Sequence, residues 1–413
     1  MKIFDICIVG AGASGMLSAR YLSKRGFNVL LLEGSSSLGK KLSMTGNGKC
    51  NITNNNMAEN FYHCKDKNFI KNVLKKVDTK KLISILKEYK IYTIEKNGYV
   101  YPMSMQAKSV VEALSSFNNH VTLLLNKKVR EIKKKDDIFY IYGEREKKGL
   151  VRELISCAKI VILSCGGSSY PKTGSDGSGY KLCEKLGLKI NKIVPALTPL
   201  YCTNYDKNLF GIRNDVSLRL FENTKLIDSS TGEIQFTKDG LSGICVFQIS
   251  KNAILSKMKG NKVTIVCDYL PNINENELFN ILKSSEFRDD TFKALNTILK
   301  NKLIYHILDE EKISYDKKIR DITDEKLQSI IYKIKNDIFY INDKSDFKNA
   351  QVTGGGVDIS EVNNSMESKL FKNLYIIGEL LDVDGLCGGY NLHFAFSSAI
   401  ISCDDILQKF EGK

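Results

Sequence analysis

The first hydrophobic cluster in the chain is a short β-branched run, Ile3–Val9, whose pattern predicts a buried strand. Gly10-Ala11-Gly12-Ala13-Ser14-Gly15 comes directly after it. Met16–Lys24 then shows helical spacing, with Gly26 where a C-terminal cap belongs. Phe27–Leu32 is a second apolar strand ending in Glu33, which completes a βαβ opening. Gly34–Asn56 is rich in Gly, Ser, Lys and Asn and reads as a long loop. Helices are predicted over Asn68–Tyr89 and Ser104–Leu114, and a strand over Val121–Leu125. A β-meander is predicted over Val129–Ile155, with Ile138–Tyr142 and Leu150–Ile155 as its clearer strands. Ile160–Leu163 reads as a further buried strand running into Ser164-Cys165-Gly166-Gly167. From about Ala196 to Tyr269 strands dominate, at Val216–Phe221, Gly232–Thr237 and Lys262–Cys267. Asn274 to Lys335 is charged and helical. Strand signals return at Gln351, Leu374–Ile377 is a last buried strand, and Leu392–Leu407 an amphipathic helix. This order predicts a nucleotide domain split in two by a β-rich and helical insertion.

Composition narrows the class. A chain of 413 residues predicts two or three domains with an ample core. Its 43% hydrophobic and 26% charged residues exclude a disordered or collagen-like chain. No apolar run approaches the ~20 residues of a membrane span. Lys and Arg number 61 against 47 Asp and Glu, a net charge of +14. Such an excess points to an anionic partner. The simpler reading is compositional: the chain is rich in Lys, Ile and Asn, and much of the Lys lies on solvated helix faces. The dense basic clusters, Lys127–Lys135 and Glu144–Arg152, are interrupted by acids. Nucleic acid is therefore not the expected partner. The eleven cysteines are odd in number, scattered and without a CxxC, and Met1–Asp5 lacks signal-peptide features. Reduced thiols in a cytoplasm are expected.

Gly10, Gly12 and Gly15 form a GxGxxG placed between a strand and a helix. The first glycine allows the tight turn, the second lets a pyrophosphate approach the backbone, and the third lets the helix pack on the strand. The helix N-terminus offers unpaired N–H groups and a partial positive charge, which suit phosphate. Glu33 stands at the spacing where an acid binds ribose hydroxyls, and it disfavours a 2′-phosphate in this site. The later glycine-rich segments favour a long dinucleotide, FAD, over NAD. Gly166-Gly167 after a strand resembles the glycine pair that borders FAD in two-dinucleotide-fold flavoproteins. Gly378-Glu379 resembles their Gly-Asp at the ribityl chain. Gly388-Gly389-Tyr390-Asn391 resembles the helix start that faces the flavin pyrimidine edge, where oriented N–H dipoles stabilise negative charge.

Four blocks carry a more specific resemblance. Gly39-Lys40-Lys41-Leu42 with Thr45-Gly46-Asn47-Gly48-Lys49-Cys50-Asn51-Ile52-Thr53-Asn54 is similar to GRKL…TGGGRCNxTN. Tyr170–Tyr180 is similar to YPxTGSTGDGY. Glu233–Phe236 with Gly240–Gly243 is similar to GExLFT…GLSG. Val352–Val357, Gly378–Gly385 and Gly388–Leu392 are similar to VTxGGV…GEvLDVDGxxGGYN. On these blocks the chain resembles the BaiN/RdsA-type family of bacterial NAD(P)/FAD-dependent oxidoreductases, flavoproteins also described as aminoacetone-oxidase-like. The resemblance implies an α/β fold: a two-dinucleotide-binding-domain flavoprotein with a discontinuous, Rossmann-like FAD core and an inserted β-barrel-like domain carrying a helical subdomain. The expected domains are 1–195 and 351–413 for FAD, 196–272 and 336–350 for the β-rich insertion, and 273–335 for its helices. Besides Gly10, Gly12, Gly15 and Glu33, the implied residues around a non-covalent FAD begin with Ala13, Ser14, Gly39, Lys40, Lys41, Thr45, Gly46, Asn47, Gly48, Cys50, Asn51 and Val129. Further along they are Cys165, Gly166, Gly167, Thr173, Gly174, Gly177, Gly378, Glu379, Asp384, Gly388, Gly389, Tyr390, Asn391 and Leu392.

The chain departs from the family pattern in three places. Asn47 and Lys49 replace a Gly and an Arg, Gly174–Gly179 has its acid displaced, and His393 stands where relatives usually carry Gln. A charged His393 at the flavin helix would stabilise reduced flavin, whereas a neutral one would be packing. Cys50 and Cys387 read as packing or as flavin-lining thiols. No His or Cys set has metal-ligand spacing. Ser242 in Gly-Leu-Ser-Gly is expected to lack a strand-to-helix elbow and a base. The family implies an oxidoreductase passing hydride from transiently bound NAD(P)H through the flavin to an electron-poor C=C, as in an enone of a steroid-like or other apolar ring. Tyr390, His393 and Tyr170 are the candidate proton donors. The alternatives are an amine oxidase using O₂, an RNA-binding, tRNA-modifying flavoprotein, and a non-catalytic FAD-binding redox sensor.

Overall fold

The predicted opening is present in the computed structural model, which describes residues 2–146, 150–284 and 290–411. It consists of β1 (Ile3–Val9), α1 (Ala13–Ser23) and β2 (Val29–Leu32). Ile6, Cys7, Ile8 and all of β2 are buried, as a central parallel sheet requires. Gly26 takes φ +87°, the left-handed turn that ends α1. The loop expected to Asn56 contains β3 (Thr53–Asn54), and β4 (Tyr62–His63) comes next.

The single helix expected over Asn68–Tyr89 is two, α2 (Lys67–Lys76) and α3 (Thr79–Glu88). An extra cap breaks it: Asp78 accepts from Lys81 N at 2.7 Å, just as Asp66 accepts from Asn68 N at 2.9 Å. After α3 stands a hairpin absent from the predicted elements, β5 (Thr93–Lys96) and β6 (Tyr99–Pro102). Its turn, Asn97-Gly98, has φ +53° and +84°, the pair of left-handed residues that matches strand twist.

The chain continues through α4 (Ala107–Ser115), β7 (Val121–Leu124), β8 (Val129–Lys135) and β9 (Ile138–Glu146). The two strands expected at Leu150–Ile155 and Ile160–Leu163 are one, β10 (Leu150–Leu163), with a register shift between Leu154 and Ser156. Residues 147–149, inside the expected meander and the basic cluster Glu144–Arg152, lie outside the described residues. Next come α5 (Ser178–Lys185) and β11 (Ile190–Ala196).

Residues 196–346 form a unit of their own. Its strands are β12 (Leu200–Tyr201), β13 (Arg213–Glu222), β14 (Lys225–Phe236), β15 (Gly240–Gly243), β16 (Val263–Asp268) and β17 (Asp337–Tyr340). They pair in the order β12-β15-β14-β13-β16-β17. The two ends meet, with Thr203 N donating to Tyr340 O at 2.9 Å and Asn342 N to Tyr201 O at 3.0 Å, so the sheet closes into a barrel. Between β15 and β16 lies α6 (Ile244–Met258), in a stretch expected to be strands. Its Ile, Val and Phe content imitates a strand, but the buried Cys245, Val246, Ile249, Ala253 and Ile254 recur at helical spacing. Ser242 therefore does stand just before a strand-to-helix junction, contrary to expectation, though its side chain is buried. Between β16 and β17 the described residues form α7 (Glu275–Lys283), α8 (Thr291–Asn296), α9 (Asn301–Glu310) and α10 (Asp324–Lys335).

The remaining elements, β18 (Val352–Val357), β19 (Leu374–Ile376), β20 (Asp384–Gly385) and α11 (Tyr390–Glu411), belong with residues 1–195. The parallel order there is β7-β2-β1-β10-β19, while β9 and β8 extend β10 antiparallel. Among the described residues no helix is long and apolar enough to cross a membrane.

Sequence spacing also concealed a buried charge network in the 196–346 unit. Asp337 accepts from Tyr269 Oη at 2.5 Å and from His306 Nε2 at 3.0 Å, and its other oxygen lies 2.6 Å from Lys333 Nζ. His306 Nδ1 lies 3.0 Å from Asp206, and Lys333 also pairs with Glu310. His306, Glu310 and Asp337 thus come together as a metal-ligating trio would, but the Lys333 ammonium already compensates the two carboxylates. Burial on its own would lower the His306 pKa. The hydrogen bond and charge of Asp337, with Glu310 and Asp206, outweigh burial and raise it.

A raised value means that this stabilisation is complete below about pH 6.5 and is lost as pH rises through the shifted value. We expect β16 and β17 amides to exchange faster as pH rises from 6 to 8, beyond the intrinsic rate increase, and H306Q to remove that dependence. Removing one partner by D337A is expected to cost about 3–5 kcal/mol in denaturant unfolding. An unchanged pH slope in H306Q would show that another group titrates.

Candidate dinucleotide site

The three glycines of the first turn differ in the space around them. Gly10 has φ +103°, and a Cβ there would stand 2.5 Å from Ser164 O. A Cβ at Gly15 would stand 2.0 Å from Gly10 O, so α1 can sit against β1 only with glycine at this position. At Gly12 a Cβ would meet nothing within 4 Å, which leaves open space at the N-terminus of α1. No acidic residue occupies the first turn of α1, where it would compete with a phosphate.

Glu33 turns back onto this loop. Its Oε2 accepts from Ala11 N at 2.9 Å, and its Oε1 accepts from Ser35 N and Oγ, both at 2.8 Å. A Cβ at Gly174 would lie 3.7 Å from Glu33 Oε1, in ordinary contact with the same carboxylate. Lys127 N donates to Glu33 O, which brings the start of β8, with Val129, alongside. Gly177 N donates to Gly167 O at 3.0 Å, and a Cβ at Gly166 would lie 3.3 Å from Ser175 Oγ. That hydroxyl is buried without a hydrogen-bond partner, the condition of a group shaped for a ligand. Open space over Gly12, an oriented acid and an orphaned buried hydroxyl together fit FAD.

A second junction lies at Glu379. Its carboxylate accepts from Lys41 Nζ at 2.7 and 2.9 Å, from Ser169 Oγ at 3.0 Å and from Thr353 N at 2.9 Å. Thr353 Oγ1 in turn accepts from Ser168 N and Ser169 N. Tyr180 Oη donates to Glu379 O at 3.3 Å, so three of the four resemblance blocks and the segment after Gly166-Gly167 meet here. Gly378 packs on the start of α1, 2.9 Å from Ser14 Oγ to a Cβ position. Gly46, Asn47, Gly48 and Cys50 all have positive φ, and Asn is one of the few other residues that tolerates it, which explains how Asn47 replaces the family glycine.

The opening of α11 is braced by its neighbours. Gly388 and Gly389 have φ +133° and +93°, and the Asn391 side chain bonds Gly385 N and O at 2.8 Å each. Tyr390 is buried and stacks on Phe61 at 4.9 Å, while Tyr62 Oη donates to Tyr390 O. Burial, with the neighbouring Tyr99, raises the Tyr390 phenol above its usual pKa. Tyr170 takes φ +53° in the loop after Ser169 and keeps part of its ring exposed.

His393 fails as a proton donor. It is wholly buried, its Nε2 donates to Val77 O at 3.1 Å, and its Nδ1 accepts from Thr53 Oγ1 at 2.8 Å. Burial lowers its pKa to about 4, only partly opposed by the Val77 carbonyl and Asp78. It is a neutral packing residue. Cys50 and Cys387 are likewise pushed up to about 12 by burial and are not reactive thiolates.

Sequence reading missed two features of this region. One is the outward face of the β5–β6 hairpin. Cross-strand partners share a face, so Tyr92, Ile94 and Lys96 lie with Met103, Tyr101 and Tyr99, while Val100 and Pro102 are buried on the other side. Tyr92, Ile94, Tyr99 and Met103 are 54, 39, 37 and 63% exposed. Tyr99 reaches within 3.3 Å of a Cβ position at Gly388, next to the start of α11. Asn-Gly between alternating apolar residues was the available signal. The other feature is His63, whose Nδ1 lies 2.9 Å from Asp384 Oδ2, a pairing 321 residues apart with no local signal.

This fold and cradle define a Rossmann-type flavin-binding protein. The chain belongs to the HI0933-like family, whose "HI0933-like protein Rossmann domain" matches residues 4–405, a family of FAD-dependent oxidoreductases. It is 32% identical to a 3-dehydro-bile acid delta(4,6)-reductase of Clostridium scindens, over 96% of this chain and 97% of that protein. It is 30% identical to a ribosomal RNA dihydrouridine synthase of Haemophilus influenzae, over 95% and 96%. With the enzyme of that name from Escherichia coli it shares 27% identity over 98% and 99%.

This geometry has two testable outcomes. G15A should yield protein that does not retain FAD through gel filtration, because the helix must move off Gly10; retention at wild-type stoichiometry would contradict the close packing. Since His393 stays neutral when folded, stability should fall as pH drops from about 6.5 toward 4, by roughly 3 kcal/mol relative to H393Q. Chemical denaturation of both proteins across that range measures the difference.

Proposed function

We propose that this chain is an FAD-dependent reductase of a carbon–carbon double bond conjugated to a carbonyl in an apolar ring, with NADH or NADPH as a transient electron donor. The observation that carries the substrate class is the exposed apolar face of β5–β6, contiguous through Tyr99 with the Gly388–Tyr390 opening of α11. That face presents Tyr, Ile and Met with a single lysine, Lys96, and suits a flat, poorly hydrated ring system. The names of the relatives support the reaction type, since delta(4,6) reduction and dihydrouridine formation both add hydrogen across a ring double bond.

Bound FAD supplies the hydride chemistry. The chain's own residues hold and shape that site. The α1 N-terminus and Gly12 offer backbone N–H groups to the pyrophosphate, and Glu33 offers its oriented carboxylate to ribose hydroxyls. The N–H groups at the start of α11 would stabilise negative charge developing on a flavin held there. The buried rings of Tyr62 and Tyr390, with the partly buried Phe61 stacked on Tyr390, keep water from that end of the site. Only one GxGxxG is present, and it serves FAD, so a nicotinamide has no dedicated fold and must visit transiently.

A second reading, reduction of a base in ribosomal RNA, is supported by the net charge of +14 and by the two synthase relatives. Anaerobic stopped-flow separates the two. NADH or NADPH should bleach the flavin, and a 3-oxo-4,6-diene bile acid should reoxidise it. Y99A and M103A should raise the KM for that compound about tenfold with kcat little changed. Reoxidation only by unmodified ribosomal RNA, with salt-dependent binding, would replace this reading by the second.

A further inference from the structure

We propose that His63, held by the buried Asp384, is the proton donor of this site; the proposal rests on the reductase reading. β4 and β20 pair antiparallel, with Asp384 opposite His63 and Gly385 opposite Tyr62. His63 Nδ1 lies 2.9 Å from Asp384 Oδ2. A carboxylate oxygen accepts, so Nδ1 carries the hydrogen, and Nε2 is the position at which the ring gains or loses a proton. The two partners differ sharply in exposure. The Asp384 side chain is 2% exposed and the His63 side chain 32%, and Nε2 makes no hydrogen bond among the described residues. A buried acid that fixes one nitrogen of a half-open imidazole is the arrangement that orients a general acid or base.

Its location fits the site described above. Phe61, two residues before His63, stacks on Tyr390, and Tyr62 bonds the Tyr390 carbonyl. Asp384-Gly385 lies between Glu379 and the opening of α11. A Cβ on Gly385 would stand 2.6 Å from Tyr390 Cβ, so this turn presses directly on the helix start. His63 succeeds where His393 fails, because His393 has both nitrogens committed in the core. The other ionisable groups around this end of β4 are Lys67 of α2, which donates to Tyr62 O, and Asp66 and Asp382, whose charges act on Cys64. β18 brings no ionisable side chain, and α11 brings Tyr390 and His393.

Atoms and electrons balance in the step. A hydride, with its two electrons, comes from reduced FAD and adds to the carbon β to the carbonyl, leaving an enolate. The Nε2–H bond of protonated His63 breaks, and the enolate's electron pair forms the new C–H bond at the α carbon. His63 is left neutral with its hydrogen on Nδ1, still bonded to Asp384, and takes a proton back from solvent on its exposed side.

The test compares the two half-reactions in wild type, H63Q, H63A and D384N. H63Q and H63A should keep wild-type FAD content and flavin reduction by nicotinamide within twofold. Their reoxidation by the 3-oxo-4,6-diene bile acid should slow by about a hundredfold or more. Added imidazole should restore part of the rate in H63A, which a merely structural role would not allow. D384N should slow reoxidation per bound flavin, with the rate normalised to the FAD content read from flavin absorbance. Nitrogen-15 shifts of His63 in the oxidised wild-type holoprotein should report hydrogen on Nδ1. Reoxidation of H63Q within threefold of wild type, or a neutral ring with hydrogen on Nε2 alone, overturns the assignment. Reduced wild type that no enone reoxidises overturns the reductase reading, and this assignment with it.

Discussion

One carboxylate, that of Glu379, is where the distant parts of the nucleotide unit are joined. Its two oxygens are taken up by the Lys41 ammonium, the Ser169 hydroxyl and the Thr353 amide, from segments spread over more than three hundred residues of chain. A partly buried carboxylate is costly without such donors, and with them it tolerates few alternative positions. The glycine-rich turns are arranged around that point. Thr353 caps the backbone after Gly167 so closely that a Cβ on Gly167 would lie 2.3 Å from its hydroxyl. Gly378, next to Glu379, fits against Ser14 at the head of α1. Fixing Glu379 therefore also fixes the spacing between the GxGxxG turn and the C-terminal return of the chain.

How much of this is legible in the sequence depends on the range of the interactions. The βαβ opening is readable because every signal lies within about thirty residues: an apolar run, glycines, a helical stripe and an acid. The tight turn at Gly10 and the close helix packing at Gly15 can be assigned from the motif and agree with the space around each. Expectation and structure part where local patterns compete. Asp78 sits inside a continuous amphipathic stripe that reads as one helix, although its side chain caps a new one. The β-branched residues of α6 imitate strands, and tertiary burial decides for helix. β10 reads as two strands because its outer half alternates in polarity while its inner half, buried on both faces, does not.

The site divides in the same way. Backbone cradles are written in glycine spacing and can be found by eye. Side-chain pairs such as Lys41 with Glu379, or His63 with Asp384, depend on which loops meet, and nothing near either residue announces the other. His393 shows the converse hazard. Its position in the chain suggests chemistry, but the helix phase turns it into the core, where Thr53 and Val77 occupy both ring nitrogens. The barrel unit holds its own buried charges around Asp337, and these are balanced internally, which fits a structural task.

The division of the chain also bears on the order in which it folds during synthesis. Residues 196–346 are contiguous, so the barrel can complete all its pairings while the C-terminal segment is still being made. The nucleotide unit cannot. β10, already paired with β1, lacks its second parallel neighbour until β19 emerges, α1 waits for α11 to cover it, and Lys41 waits for Glu379. The first 195 residues must therefore persist with one edge of their central sheet unpaired through the making of an entire second unit. The antiparallel extension by β8 and β9 occupies part of that interval usefully: it pairs the outer half of β10 and shortens the open edge that a nascent chain would otherwise present.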